Sequence, residues 1–397
     1  MPTYKKLNGA LAIASNTYGA PTGYGVQTKL LTDKLLKHGV QVAILSNYGL
    51  EARFDEIKTA NGVIKHYPKG LKPYSDDVIP LWYQHFMAQH PNRVGKLFTL
   101  YDVWVYNELA FDEEIISWVP LDHVTTPPGV MKFLQRDNVS PVAMSPFGHD
   151  VMNSEGIENT YIPHAVDTKV FKPTAKAFGQ KTRELLDVPE DAFLVSMVSA
   201  NKANKFVHRK ALAENLVAFS KFLITHPDAY LYLHMEPGPA YGGFDLSILL
   251  KAVGLTDKNV RILDPDQNRV GYPDEALAAF YSASDVLLAA SYGEGFQVPL
   301  IEAQACGTRV IASNWTAPKD LVSDDSFLVE GQPFWDNPQA SFFYIPAIGS
   351  IYGALEQAYN SERGTNEKSI EFASAFDIDK VWQERWLPFW EEKFDAA

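Results

Sequence analysis

Two carboxylates eight residues apart, Glu294 and Glu302, stand in the string Ser291-Tyr292-Gly293-Glu294-Gly295-Phe296-Gln297-Val298-Pro299-Leu300-Ile301-Glu302-Ala303-Gln304-Ala305-Cys306-Gly307-Thr308. Such carboxylates accept hydrogen bonds from sugar or ribose hydroxyls. Gly293 and Gly295 flank the first of them and let the backbone approach a ligand closely. Pro299 suits the first turn of a helix, and Gly307 suits the left-handed residue that ends one. A helix starting between them offers unpaired N–H groups and the positive end of its dipole to an anion such as a phosphate. A second group lies upstream. Five of the ten residues from Asn201 to Lys210 are Lys, Arg or His, just before an expected helix from Ala211 to Ile224. The guanidinium of Arg209 makes forked hydrogen bonds and the ammonium of Lys210 acts as a point charge, so the pair suits a diphosphate. His123 gives or takes a hydrogen bond near neutral pH. Each feature also has a plainer reading: a glycine turn, a solvated basic turn, a satisfied loop histidine.

These side chains need elements to hold them. Apolar runs Val286–Ala290 and Val310–Ala312 bracket the string and predict a βαβ unit. A second such unit opens the chain, with strands at Leu11–Ala14 and Val40–Leu45 and a helix over Val26–His38. The loop between the first strand and that helix carries Gly23-Tyr24-Gly25. The third glycine of the dinucleotide fingerprint is missing, which argues against NAD. Strands are also expected at Phe98–Trp104, Trp118–His123, Val142–Ser145, Phe193–Ser199, Ala229–Met235 and Val260–Asp264. Asp102 is read as a strand-end residue outside the site. Asp264-Pro265-Asp266 reads as a turn in preference to a metal clamp. Leu81–Met87 reads as a core or interdomain helix, with contact to lipid or an acceptor as the alternative. The aromatic tail Val381–Trp390 reads as a packing helix.

The Glu294–Thr308 string resembles the E-x7-E signature of the glycosyltransferase family 4 group. Ile162-Pro163-His164-Ala165-Val166-Asp167 with Phe171-Lys172-Pro173 resembles that group's hinge, with His164 and Ala165 in place of its usual Asn and Gly. The resemblance implies an α/β fold of two Rossmann-like, doubly wound domains facing a cleft, the GT-B arrangement. It implies an acceptor-side domain over 1–165, a nucleotide-sugar-binding domain over 166–375, and a last helix over 376–397 crossing back to the first. Glu294 would meet the transferred sugar and Glu302 the ribose. Gly295 and Phe296 would line the donor phosphates at the helix start, and Arg209 and Lys210 would neutralise the leaving diphosphate. His123 and the Gly23–Gly25 loop would complete the site from the first domain. Asp264–Gln267 would hold the base. The implied reaction moves a hexosyl group from a UDP- or GDP-linked sugar to an acceptor hydroxyl with retention and without a resident cofactor or metal. The acceptor class, whether glycan, lipid-linked or small molecule, stays open. A non-catalytic nucleotide-sugar-binding protein, another GT-B nucleotide-sugar enzyme and a DNA-base glycosyltransferase are the alternatives.

A chain of 397 residues exceeds one ordinary core and predicts two domains. Hydrophobic residues at 46% and charged ones at 21% exclude a disordered chain. A net charge of −13 argues against nucleic acid as partner and against non-specific adhesion to anionic membrane. Cys306, the single cysteine, reads as a small core residue and excludes an internal disulfide. The apolar run after Lys5 and Lys6 is too short for a secretory signal, and none approaches the roughly 20 residues of a membrane span. The expectation is a cytoplasmic protein, with peripheral membrane contact left open.

Overall fold

The computed structural model describes residues 4–48, 54–203, 207–239 and 242–395. Two sheets form its skeleton. The first comprises β1 (Gly9–Ser15), β2 (Gln41–Ser46), β3 (Asp55–Thr59), β4 (Gly62–Tyr67), β5 (Val94–Leu100), β6 (Ile115–Val119), β7 (Val139–Ala143) and β8 (Thr160–Tyr161). Its order is β3-β4-β2-β1-β5-β6-β7-β8, parallel throughout except at the β3–β4 hairpin. The second comprises β9 (Phe193–Val198), β10 (Ala229–His234), β11 (Val260–Ile262), β12 (Val286–Leu288), β13 (Arg309–Ser313) and β14 (Phe327–Val329), ordered β11-β10-β9-β12-β13-β14 and all parallel. β1, β9 and β12 are buried along almost their whole length, as expected of strands covered on both faces.

Each order reverses once, between β1 and β5 in the first sheet and between β9 and β12 in the second. Ligands of open α/β sheets bind beyond the carboxyl ends of the strands at such reversals. The residues following these four strands are Asn16–Tyr24, Tyr101–Asp102, Ser199–Lys210 and Ala289–Gly295, and they include most of the expected site.

The tail crosses back to the first sheet. Trp382, Trp386 and Trp390 are fully buried. The Trp382 indole N–H donates to His38 Nε2 at 3.1 Å, and the ring centroid of Trp386 lies 4.9 Å from that of Trp118. The ring of Phe394 occupies the place a Cβ on Gly9 would take. A π-helical turn over Trp382–Trp386 follows Ile378–Val381 and precedes the helix Leu387–Asp395. No described helix is long and apolar enough to cross a membrane.

Strands β3, β4, β8 and β14 and one further hairpin lay outside the sequence expectations. β15 (Gly331–Asp336) and β16 (Ser341–Pro346) form an antiparallel hairpin apart from both sheets. It reaches the first lobe, where Phe342 and Val124 exchange backbone hydrogen bonds of 2.9 and 3.0 Å. The Ser341 hydroxyl donates to the carbonyl of Thr125. The hairpin thus ties the loop after β6 to the second lobe.

Candidate functional site

The turn after β12 brings Glu294 to a position that is 4% exposed. Arg209 Nη1 donates to Glu294 Oε2 at 2.7 Å and to the carbonyl of Gly293 at 2.8 Å. Lys210 Nζ donates to Glu294 Oε1 at 2.5 Å. Burial alone would raise the Glu294 carboxyl, but the two cations outweigh it and hold it below its ordinary value. The basic run therefore converges with the first carboxylate. Asn204, Lys205 and Phe206 of that run lie outside the described residues.

The first lobe meets this cluster through Asp122 and His123. Asp122 Oδ2 lies 3.7 Å from Arg209 Nη1. Both nitrogens of His123 face carboxylates, Nδ1 at 2.6 Å from Asp122 Oδ1 and Nε2 at 3.3 Å from Asp336 Oδ2 of the hairpin. The imidazole stacks on Phe343 with ring centroids 3.8 Å apart. Burial opposes its charged form, yet Asp122 and Asp336 raise its pKa. His123 is thus gripped between two carboxylates that favour its charged form, where a satisfied loop histidine or a group turned to a sugar had been expected.

A Cβ on Gly293 would lie 2.0 Å from the Asp122 carbonyl oxygen, and one on Gly295 would lie 2.4 Å from the Pro120 Cβ. What comes close to these glycines is the loop after β6 of the other lobe. The Glu294 N–H donates to the Thr316 hydroxyl at 3.1 Å. The N–H groups of Gly295, Phe296 and Gln297 have no partner among the described residues. The following helix, Val298–Ala305, starts after Gln297, which takes a left-handed conformation with φ of 79°.

The remaining candidates occupy different settings. Gly23 and Gly25 lie in the first turn of the helix Gly23–Lys37, not in a loop before it. The Thr22 hydroxyl caps that helix by accepting from the Gly25 N–H, and a Cβ on Gly25 would strike the carbonyl oxygen of Ala20 at 2.3 Å. Phe296 is 3% exposed and packs in the core between His164 and Phe376, because an apolar ring at a lobe contact gains more from burial than from facing a polar cleft. Glu302 is buried one helical turn beyond the cluster and accepts from the Tyr281 hydroxyl at 2.9 Å. Burial pushes its carboxyl up to about 7. Asp264 caps the helix Pro265–Val270 by accepting from the N–H groups of Asp266 and Gln267. Cys306 is buried, and burial pushes its thiol up.

The structure adds Asp122, Asp336, Phe343 and Tyr24 to the site. Tyr24, between the two helical glycines, feels the charges of Asp102, Arg209 and Asp122. Asp336 and Phe343 carried a usable signal: Asp336-Asn337-Pro338 between two aromatic runs has the turn chemistry of a hairpin.

Residues 248–338 match the family described as glycosyl transferases group 1, a segment that contains the whole Ser291–Thr308 string. The chain is 30% identical over 205 residues to a D-inositol 3-phosphate glycosyltransferase of Streptosporangium roseum, covering 49% of this chain and 44% of the relative. It is 32% identical over 220 residues to D-inositol 3-phosphate glycosyltransferase 2 of Catenulispora acidiphila, covering 53% and 45%. The chain therefore spans less than half the length of these curated relatives. Among solved structures it resembles a sucrose-phosphate synthase of Thermosynechococcus elongatus, with a TM-score of 0.75, 18% identity and coverage of 98% and 100%. It also resembles Anabaena HepE in complex with UDP and glucose, with a TM-score of 0.65, 14% identity and coverage of 96% and 99%. The resemblance to family 4-like glycosyltransferases and the GT-B fold are both borne out.

Proposed function

We propose that the protein is a retaining glycosyltransferase that moves a hexosyl group from a UDP- or GDP-linked sugar to an acceptor hydroxyl. One observation carries this reading: Arg209, Lys210 and the unpartnered N–H groups of Gly295–Gln297 gather at the β9/β12 reversal, opposite the first lobe. When the bond from the sugar to the diphosphate breaks, the diphosphate takes the electron pair. Fixed cations and amide dipoles stabilise that developing charge without rearranging, which is often the largest catalytic contribution. Glu294 orders the two cations and turns a carboxylate toward the sugar. Glu302 takes the ribose. In this reading the neutralising charge comes from Arg209 and Lys210, and no resident metal or cofactor is needed. The complex of the Anabaena neighbour with UDP and glucose supports a nucleotide-sugar donor.

The test is a thermal-shift panel of UDP, GDP and ADP with their sugars, with and without EDTA, followed by donor-turnover assays. A ligand that binds only the folded state raises the melting temperature. The expected result is a shift with one nucleotide family, unchanged by EDTA, and turnover of its sugar. No shift with any nucleotide overturns the reading. A shift without turnover, alone or with any acceptor, would leave a nucleotide-sugar-binding protein instead.

A further inference from the structure

The chain leaves β9 at Ser199 and returns at His208, just ahead of the two cations. One side chain closes the neck of that excursion. Asn201, 3% exposed, has its Oδ1 at 2.9 Å from His208 Nε2 and accepts from the Phe244 N–H at 2.9 Å. Its amide nitrogen lies 2.9, 3.2 and 2.7 Å from the carbonyl oxygens of Glu236, Gly238 and Phe244. Carbonyls face the nitrogen and a backbone N–H faces the oxygen, so the amide has one orientation. Oδ1 can only accept, so His208 carries its proton on Nε2. Asn201 thus joins the segment after β9 to the segment after β10. Packing seals the junction: a Cβ on Gly243 would lie 2.2 Å from the Asn201 carbonyl oxygen, and the His208 ring lies on Phe244 with centroids 4.4 Å apart. Arg209 and Lys210 come directly after this neck. The Ala211 N–H donates to the His208 carbonyl at 3.0 Å, and Ala211 takes a left-handed φ of 49°. The Arg209 carbonyl accepts from the Tyr292 N–H at 2.7 Å, which sets this turn against Gly293 and Glu294.

We propose that Asn201 is a positioning residue for the transfer step: by fixing His208 it sets where Arg209 and Lys210 stand, and it ties that placement to the segment after β10. The proposal rests on the glycosyl-transfer reading for the diphosphate, though not for the placement itself. Among the described residues Asn201 bonds to neither cation, so it acts through His208. The two cations need holding. Burial, and after it the charge of Arg209, oppose the charged form of Lys210 against the pull of Glu294. Such a pair moves apart unless both ends of its side chains are held. Glu294 holds the tips, and Asn201, through His208, holds the backbone from which they extend. An amide suits this post because it donates and accepts at once. Alanine would leave the three carbonyls and the His208 N–H short of partners in a buried place. Aspartate would turn a carboxylate toward the same carbonyls. Charge stabilisation of a leaving group is sensitive to such placement, since a shift of about 1 Å can lower a rate by roughly 10²-fold.

The experiment follows nucleotide release from UDP-glucose and GDP-mannose by the full chain carrying Asn201→Ala, Lys210→Ala, both changes, His208→Gln or His208→Ala. Asn201→Ala should lower kcat by about 10–100-fold and leave KM within about threefold. In the double variant the combined loss should fall short of the product of the single losses, because Asn201 no longer has Lys210 to place. His208→Gln keeps a side-chain N–H for Asn201 and should retain more turnover than His208→Ala. Backbone hydrogen exchange without ligand should rise in Asn201→Ala over 207–212, 236–239 and 242–246 and stay unchanged in the first sheet. Thermal melts report stability separately. A lowered melting temperature with unchanged kcat, fully multiplicative losses, or unchanged exchange over 207–212 would each overturn the proposal. Should Asn201→Ala fail to fold, the His208 pair decides, and equal turnover of the two His208 variants would overturn it. Nucleotide binding by the wild type reports on the donor reading alone. The exchange pattern reports on the placement with or without a nucleotide, so either idea can fail without the other.

Discussion

Glu294 and Glu302 belong to one turn-and-helix unit and are both nearly inaccessible to solvent, yet their electrical surroundings are opposite. Glu294 meets the guanidinium of Arg209 and the ammonium of Lys210, which hold its carboxyl below the ordinary range. Glu302 meets burial, one hydroxyl from Tyr281 and the nearby charge of Asp274, and rises to about 7. The same side chain is therefore pushed toward its ionised form at one position and toward its neutral form eight residues later. Partner groups, and not burial alone, set the state. A carboxylate favoured in its ionised form suits a residue that must organise two cations. A carboxyl poised near 7 can accept from a ribose hydroxyl and can also persist in the core with one hydroxyl partner.

Three changes test that contrast, from the largest expected effect to the smallest. Lys210→Ala removes one of the two cations at Glu294 and one of the charges assigned to the leaving diphosphate. Turnover of the nucleotide sugar should fall by about 10²–10³-fold, the scale seen when one transition-state donor is lost. Turnover within threefold of wild type would show that Lys210 serves only Glu294.

Glu302→Gln addresses the other side. A carboxyl whose folded pKa lies above its unfolded value binds more protons in the folded state, so stability falls as pH rises between the two values. For a rise from 4.5 to about 7, the wild type should lose up to roughly 3 kcal/mol between pH 4.5 and pH 8. The side-chain amide that replaces this carboxyl in the variant cannot titrate. The variant's melting temperature should approach that of the wild type at pH 5 and exceed it at pH 8, and parallel pH curves would erase the contrast.

Tyr281→Phe sharpens it further. The hydroxyl supports the ionised form of Glu302, so its loss should cost about 1 kcal/mol at pH 8 and less at pH 5. Denaturant melts at the two pH values give the difference, and an equal cost at both would detach Tyr281 from the charge of Glu302.

The second lobe was largely legible because its chemistry is local. The basic run precedes a helix, and the glycines, Pro299 and Gly307 punctuate a single βαβ unit. Strand periodicity placed most of both sheets to within a few residues. The first lobe was less legible. Tyr24, Tyr74 and the Tyr101–Trp104 segment lie far apart in the chain and meet only because strand order brings their loops to one edge. Asp336 is more than two hundred residues from His123, and no spacing rule connects them.

Residue type and local spacing by themselves determined the alternating elements, the turn ahead of the helix Val298–Ala305 and the cationic pair before the helix Leu212–Thr225, because these depend on contacts within one or two turns of chain. Only the tertiary structure decided that Gly293 and Gly295 admit another lobe, that Phe296 enters the core and that His123 is gripped from two sides. It also decided that the two glutamates are shifted in opposite directions. Those outcomes depend on desolvation and on the distance to groups remote in sequence, and neither quantity exists until the lobes have packed.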